Sequence, residues 1–253
     1  MSNSNLVSYT KISPNRNSPR NHAIDRISIH CVVGQCTAER IGEIFAPESR
    51  EASSNYGIGP DGRIGMYVEE KDRSWCTSSA ANDHRAVTIE VASDTAHPYA
   101  VKAAAFSALL DLCTDICKRN GKKRLLWFGD KEKTLAYTPK ADEMVLTVHR
   151  WFDNKACPGE YLYSRHGEIA AEVTKRLAAA DKPAEPTAPA GTGDNPSAWA
   201  KTATEYCKRK GIFAGDGAGN FDWQKPITRE QVAAVLYRTL ERAGLLETIP
   251  DKK

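Results

Sequence analysis

The chain has 253 residues, room for one sizeable domain and a small second module. A hydrophobic content of 41% with 26% charged residues excludes the fibrous, disordered and membrane-embedded classes. A net charge of +3 is too small a field to support nucleic-acid binding, and seven cysteines without framework spacing argue for reduced thiols rather than a disulfide scaffold.

Residues 1–25 are polar, rich in Ser, Asn and Arg, and read as an arm or loop with Arg16, Arg20 and His22 solvated. They contain no apolar run, so neither a secretion signal nor a membrane span is expected there. Residues 26–33 alternate as a strand, with Ile27, Ile29, Cys31 and Val33 on one face and Ser28, His30 and Val32 on the other. Residues 37–45 read as a short helix with Thr37 as its N-cap. Residues 53–59 and 64–68 flank Asp61-Gly62, a hairpin signal. Residues 86–92 form an apolar strand with Glu90 inside it. A buried carboxylate needs partners, and the reading favours a structural role for it over a place near a site.

Residues 101–119 carry apolar side chains at helical spacing, from Phe106 to Cys117, and Gly121 ends the helix. Cys113 and Cys117 lie on its apolar stripe and read as core packing rather than a metal pair. Residues 124–128 read as a strand, 134–144 as a polar loop, and 165–179 as a closing amphipathic helix. Strands alternating with helices predict an α/β domain, a mixed central sheet covered by helices. Residues 181–196 are a Pro/Ala/Gly linker that buries no core. The expected organisation is therefore a domain over 1–180, a linker over 181–196 and a small helical unit over 197–253. In that unit Ser197 is expected to cap a helix through Lys210, and Thr228 with Gln231 has capping-box spacing. The loop from Asp216 to Phe221 lacks the ligand order of a calcium loop.

The chemistry concentrates in residues 148–159, Val-His-Arg-Trp-Phe-Asp-Asn-Lys-Ala-Cys-Pro-Gly. His149 and Cys157 supply an imidazole and a thiol, with Lys155 between them. Catalytic zinc takes about three protein ligands and leaves a position for water. His30, held on a strand away from its most apolar neighbours, is the candidate third ligand. A closed structural zinc site would need a fourth ligand; Cys31, the thiol beside His30, falls on the opposite strand face. His84, His97 and His166 read as surface or loop histidines.

Three features together carry a family resemblance: the Ile-His strand near the start, Ser-Asn-Tyr-x-Ile followed by Asp-Gly-Arg, and His-x5-Lys-x-Cys-Pro-Gly. Over roughly residues 8–177 the chain resembles the type 2 N-acetylmuramoyl-L-alanine amidases, which include many phage endolysins and are related to the peptidoglycan recognition proteins. The resemblance implies a mixed sheet with a zinc groove along one face, ligands His30, His149 and Cys157, and catalytic assistance from Tyr56 and Lys155. It implies hydrolysis of the amide between N-acetylmuramic acid and L-alanine of the stem peptide. Relatives often carry Trp-His where this chain has Trp75-Cys76. Trp75 is expected to line the groove and pack on sugar or peptide. Non-catalytic peptidoglycan-binding relatives typically lose the thiol ligand, so Cys157 beside Lys155 and both histidines favours the enzyme.

The last unit resembles one S-layer homology repeat through Trp199-Ala200, the run Gly211 to Gly217 and Pro226-Ile227-Thr228-Arg229-Glu230-Gln231. That implies wall binding, docking or pairing with other copies of the chain. The expected setting is synthesis in a bacterial cytoplasm, without membrane insertion, and action on peptidoglycan after release, as for a phage lysin.

Overall fold

The computed structural model describes residues 2–181, 195–216 and 219–248. It divides into two compact units, Met1–Lys182 and Pro183–Lys253. In chain order the first contains β1 (Val7–Thr10), β2 (Arg16–Asn17), β3 (Arg26–Cys31), α1 (Ala38–Phe45), β4 (Tyr56–Ile58), β5 (Ile64–Met66), β6 (Arg73–Ser74) and α2 (Ala80–Asp83). It continues with β7 (Ala86–Val91), α3 (Ala103–Arg119), β8 (Arg124–Leu126), α4 (Lys131–Ala136), β9 (Glu143–Thr147) and α5 (Gly159–Asp181). Seven strands form one sheet in the order β1-β5-β4-β7-β3-β9-β8; β2 and β6 pair separately. Every pairing in the large sheet is parallel except the β4–β5 hairpin, whose turn places Gly62 at φ 86°. This is the expected mixed sheet covered by helices.

Register sorts the side chains. Ile29 lies beside Ile89, which lies beside Tyr56; His30 lies beside Glu90, which lies beside Gly57. On the first face Ile27, Ile29, Tyr56, Ile58, Val87, Ile89 and Val91 join one buried cluster with Leu109, Leu112, Cys113, Ile116 and Cys117 of α3 and Leu162, Ile169 and Val173 of α5. Each fully buried aliphatic side chain here contributes about 1.5–3 kcal/mol. On the second face α1 covers the hairpin through Ile41 and Phe45 against Tyr67. Gly57 is required there, since a Cβ would meet the Tyr67 hydroxyl at 2.7 Å. The Thr37 hydroxyl caps α1 by accepting from the Arg40 amide.

Much of the rest of the second face is polar and hydrogen-bonded. The Thr88 amide donates to Asn55 Oδ1 at 3.1 Å, the Asn55 amide to Thr88 Oγ1 at 3.0 Å, and Thr147 Oγ1 lies 3.1 Å from Ser28 Oγ. Buried polar groups persist only with such partners.

Several expectations change. The N-terminal arm is built into the fold: β1 extends the sheet beside β5, and Arg20 is buried rather than solvated. Its guanidinium donates to the carbonyls of Glu70 (2.6 Å), Asp72 (2.9 Å), His84 (2.8 Å) and Ala86 (3.1 Å). Five rigid N–H donors let one arginine close several loop ends. Residues 134–144 are not all loop: Asp130 caps α4 by accepting from the Lys133 amide at 2.7 Å, and Glu143 and Met144 open β9. His166 is buried on α5, its Nδ1 2.6 Å from the Leu162 carbonyl and its ring 4.6 Å from Trp127. It lies on the buried stripe of α5, in helical phase with Ile169 and Val173.

The second unit holds a 3-10 turn Ala198–Ala200, α6 (Lys201–Arg209) and α7 (Arg229–Arg242). Ser197 makes no capping bond, because the 3-10 turn leads into α6 instead. Thr228 and Gln231 do form the capping box, at 3.2 and 2.8 Å. Linker residues 182–194, and Gly217 and Ala218 of the Asp216 loop, lie outside the described residues. No described helix is long and apolar enough to cross a membrane.

Candidate metal centre

Parallel strands end on the same edge of a sheet, and loops leaving that edge build ligand sites. His30 is the penultimate residue of β3 and is fully buried on the polar face. The neighbouring strand β9 leads through Val148 into a 3-10 turn, His149–Trp151, which presents His149 at the same edge. Trp151 fixes that turn by stacking on Trp127, centroids 5.0 Å apart and planes within 3°. The chain returns with Cys157 just before α5. Arg150 ties the return down, its amide donating to the Cys157 carbonyl at 3.2 Å and its guanidinium to Ala156 O at 2.7 Å.

These supports bring the three sequence-predicted ligands together. Donor atoms of His30, His149 and Cys157 lie within 4.8 Å of one another, with Cys157 Sγ 3.3 Å from His30 Nδ1. Zinc bound at about 2.0–2.3 Å sets its ligands roughly 3.3–3.8 Å apart, so a small inward movement closes the triad. His30 Nε2 is buried without a partner. His149 Nε2 lies 3.0 Å from the Ser78 hydroxyl, which donates to Asp153 Oδ2 at 3.3 Å. That arrangement engages Nε2 and leaves the Nδ1 lone pair for a ligand.

Burial, reinforced by the neighbouring histidine His149, lowers His30 well below the usual imidazole range. Burial also lowers His149, against the opposing charge of Asp153. Both rings are thereby held neutral, the form that ligates metal. Contact with the Cys31 thiol, then burial and Glu90, hold Cys157 above the usual thiol range; a bound cation reverses that preference. Cys31 joins the apolar cluster, as strand alternation requires, yet also meets Cys157, because the returning loop crosses the end of β3.

Lys155 and Trp75 lie near the triad. Both border a cavity of about 470 Å³ with Arg50, Arg73, Asp83 and His149, and an adjoining one of about 430 Å³ with Cys31, Glu90 and Cys157. Lys155 is exposed and 3.8 Å from Asp153. Trp75 is half-buried, and its indole N–H donates to Asn17 Oδ1 at 2.7 Å.

Tyr56 does not reach this groove. It is fully buried on the opposite face, where its hydroxyl donates to Glu70 Oε1 at 2.7 Å and accepts from the Ser4 amide at 3.0 Å. Its register with Ile89 puts it one residue out of phase with Glu90 and His30.

Glu90, expected from the sequence to be structural, lies at the groove. It stands beside His30, one carboxylate oxygen buried and unpartnered, and burial pushes its carboxyl up to about 7. A carboxyl titrating near neutrality is suited to accept and return a proton. The sequence signal was present, a lone carboxylate in an apolar strand, but its pairing with His30 depends on a register that local pattern does not state. Cys76 lies next to it, Sγ 3.9 Å from Glu90 Oε1.

A groove of metal-donor side chains at the strand ends of a mixed, helix-covered sheet defines the chain as an α/β protein with a candidate metal site. The N-acetylmuramoyl-L-alanine amidase family model matches residues 20–160, and the chain belongs to that family. Residues 194–233 match the S-layer homology domain. Similar solved structures include the endolysin amidase LysCS from Clostridium intestinale URNW, at 18% identity over 66% of this chain and 92% of that one, TM-score 0.45. The catalytic domain of XlyA is 12% identical over 65% and 97%, TM-score 0.47, and AmpD 16% identical over 67% and 99%, TM-score 0.47. No curated protein matches the chain.

Proposed function

We propose that the chain is a zinc-dependent N-acetylmuramoyl-L-alanine amidase that cleaves the lactyl–L-alanine amide of bacterial peptidoglycan. The convergence of His30, His149 and Cys157 beside Glu90, one of whose carboxylate oxygens is buried without a partner, inside the family match, carries this reading. These three residues would hold the zinc, which when bound would supply an acidified water and a polarised carbonyl. Glu90 takes a proton from the attacking water and delivers it to the leaving nitrogen. The C–N bond breaks, hydroxyl joins the lactyl carbon, and the products are a muramic acid carboxylate and a free L-alanine amine. Lys155, a cation on the groove rim, favours the oxyanion that develops on the carbonyl. Trp75 offers an aromatic wall for sugar or peptide.

The S-layer homology region serves wall attachment or association of copies. Release to the wall of a lysed host, as an endolysin, is the setting that suits the pairing of the two units.

The test is digestion of purified peptidoglycan with and without a zinc chelator, reading new amino termini and new reducing sugars. The expected result is new N-terminal alanine without reducing sugar, abolished by chelator and restored by zinc. Protein that pellets with the wall and releases nothing would make this a binding module.

A further inference from the structure

We propose that the chain carries a second metal position, formed by His30, Cys76 and Glu90, which overlaps the first through His30 and takes the ion when Cys157 is absent. The inference rests on reading His30, His149 and Cys157 as the first position. Donor atoms of the second triad also lie within 4.8 Å of one another. Its Cys76–Glu90 edge of 3.9 Å approaches the roughly 3.3–3.8 Å that a shared zinc ion sets between its ligands. Two of its polar atoms, His30 Nε2 and Glu90 Oε2, are buried without hydrogen-bond partners, which is costly unless something else occupies them. Imidazole nitrogen, thiolate and carboxylate are all zinc ligands.

A neutral imidazole has a single acceptor nitrogen, so His30 serves one ion at a time. The two triads therefore compete. The second brings two anionic ligands against one in the first, but its Cys76–Glu90 edge of 3.9 Å is wider than the 3.3 Å His30–Cys157 edge of the first. With Cys157 in place the first position prevails. Without Cys157 the ion moves to Cys76 and Glu90, and the carboxylate needed for proton transfer becomes a ligand. Metal content and turnover then separate.

The experiment compares full-length Cys157→Ser with the pairs Cys157→Ser/Cys76→Ser and Cys157→Ser/Glu90→Gln, each checked for folding by thermal melting. Zinc content, cobalt absorption and peptidoglycan amine release are measured. Cys157→Ser is expected to keep more than about half an equivalent of zinc, with thiolate-to-cobalt charge transfer, while release falls at least about a hundredfold. Each double variant should fall below about a tenth of an equivalent, the Cys76 pair also losing the charge-transfer band. Zinc lost from Cys157→Ser alone, or retained equally by the folded double variants, overturns the second position and leaves the proposed function standing. Full release by Cys157→Ser overturns the first position, and the second with it.

Discussion

The two faces of the central sheet are built from alternate residues of the same strands and do opposite work. On one, Ile29, Ile89 and Tyr56 form a row sealed beneath α3 and α5. On the other, one residue further on, Glu90 lines the groove beside the buried His30, with Ser28, Thr88 and Asn55 hydrogen-bonded nearby. The apolar face gains its stability from area removed from water. The polar face is held by hydrogen bonds whose net contribution is modest, and it keeps a few groups unsatisfied where chemistry needs them. Rigid placement of a site is thus inherited from the packing on its reverse side.

Substitutions at neighbouring positions separate the two roles. Glu90→Gln keeps shape and removes the proton carrier; amine release should fall by about 10²–10⁴ while the melting temperature holds or rises. Unchanged release would remove proton transfer from the polar face. Ile29→Ala, on the next strand over and the other face, should lower unfolding free energy by about 2–5 kcal/mol in urea titration. Turnover per folded molecule should stay near the parent value; a selective loss of turnover would mean that the faces are coupled.

Tyr56→Phe tests the residue whose face was expected otherwise. It removes a hydroxyl between Glu70 and the Ser4 amide and should cost about 1–3 kcal/mol of stability. A collapse of turnover at undiminished stability would return the phenol to the chemistry. Lys155→Met is expected to act least, leaving stability within about 0.5 kcal/mol and lowering turnover about tenfold, equivalent to about 1.4 kcal/mol on the barrier. A full-rate variant would leave Lys155 as a solvated rim residue.

Much of this was legible in the amino-acid order. Period-two alternation around His30, the Asp61-Gly62 turn, the Thr37 cap, the helical spacing of residues 106–117 and the Thr228–Gln231 box are local signals, set by backbone geometry within a few residues. The ligand types and their His-x5-Lys-x-Cys spacing were equally local. What could not be read was register and long-range closure. Which face Tyr56 shares, that Glu90 stands beside His30, that Arg20 is enclosed by backbone carbonyls and that Cys76 lies against Glu90 all depend on contacts between segments distant in sequence. A strand's sequence fixes which residues alternate, but only pairing with its neighbours decides what each alternating side chain meets.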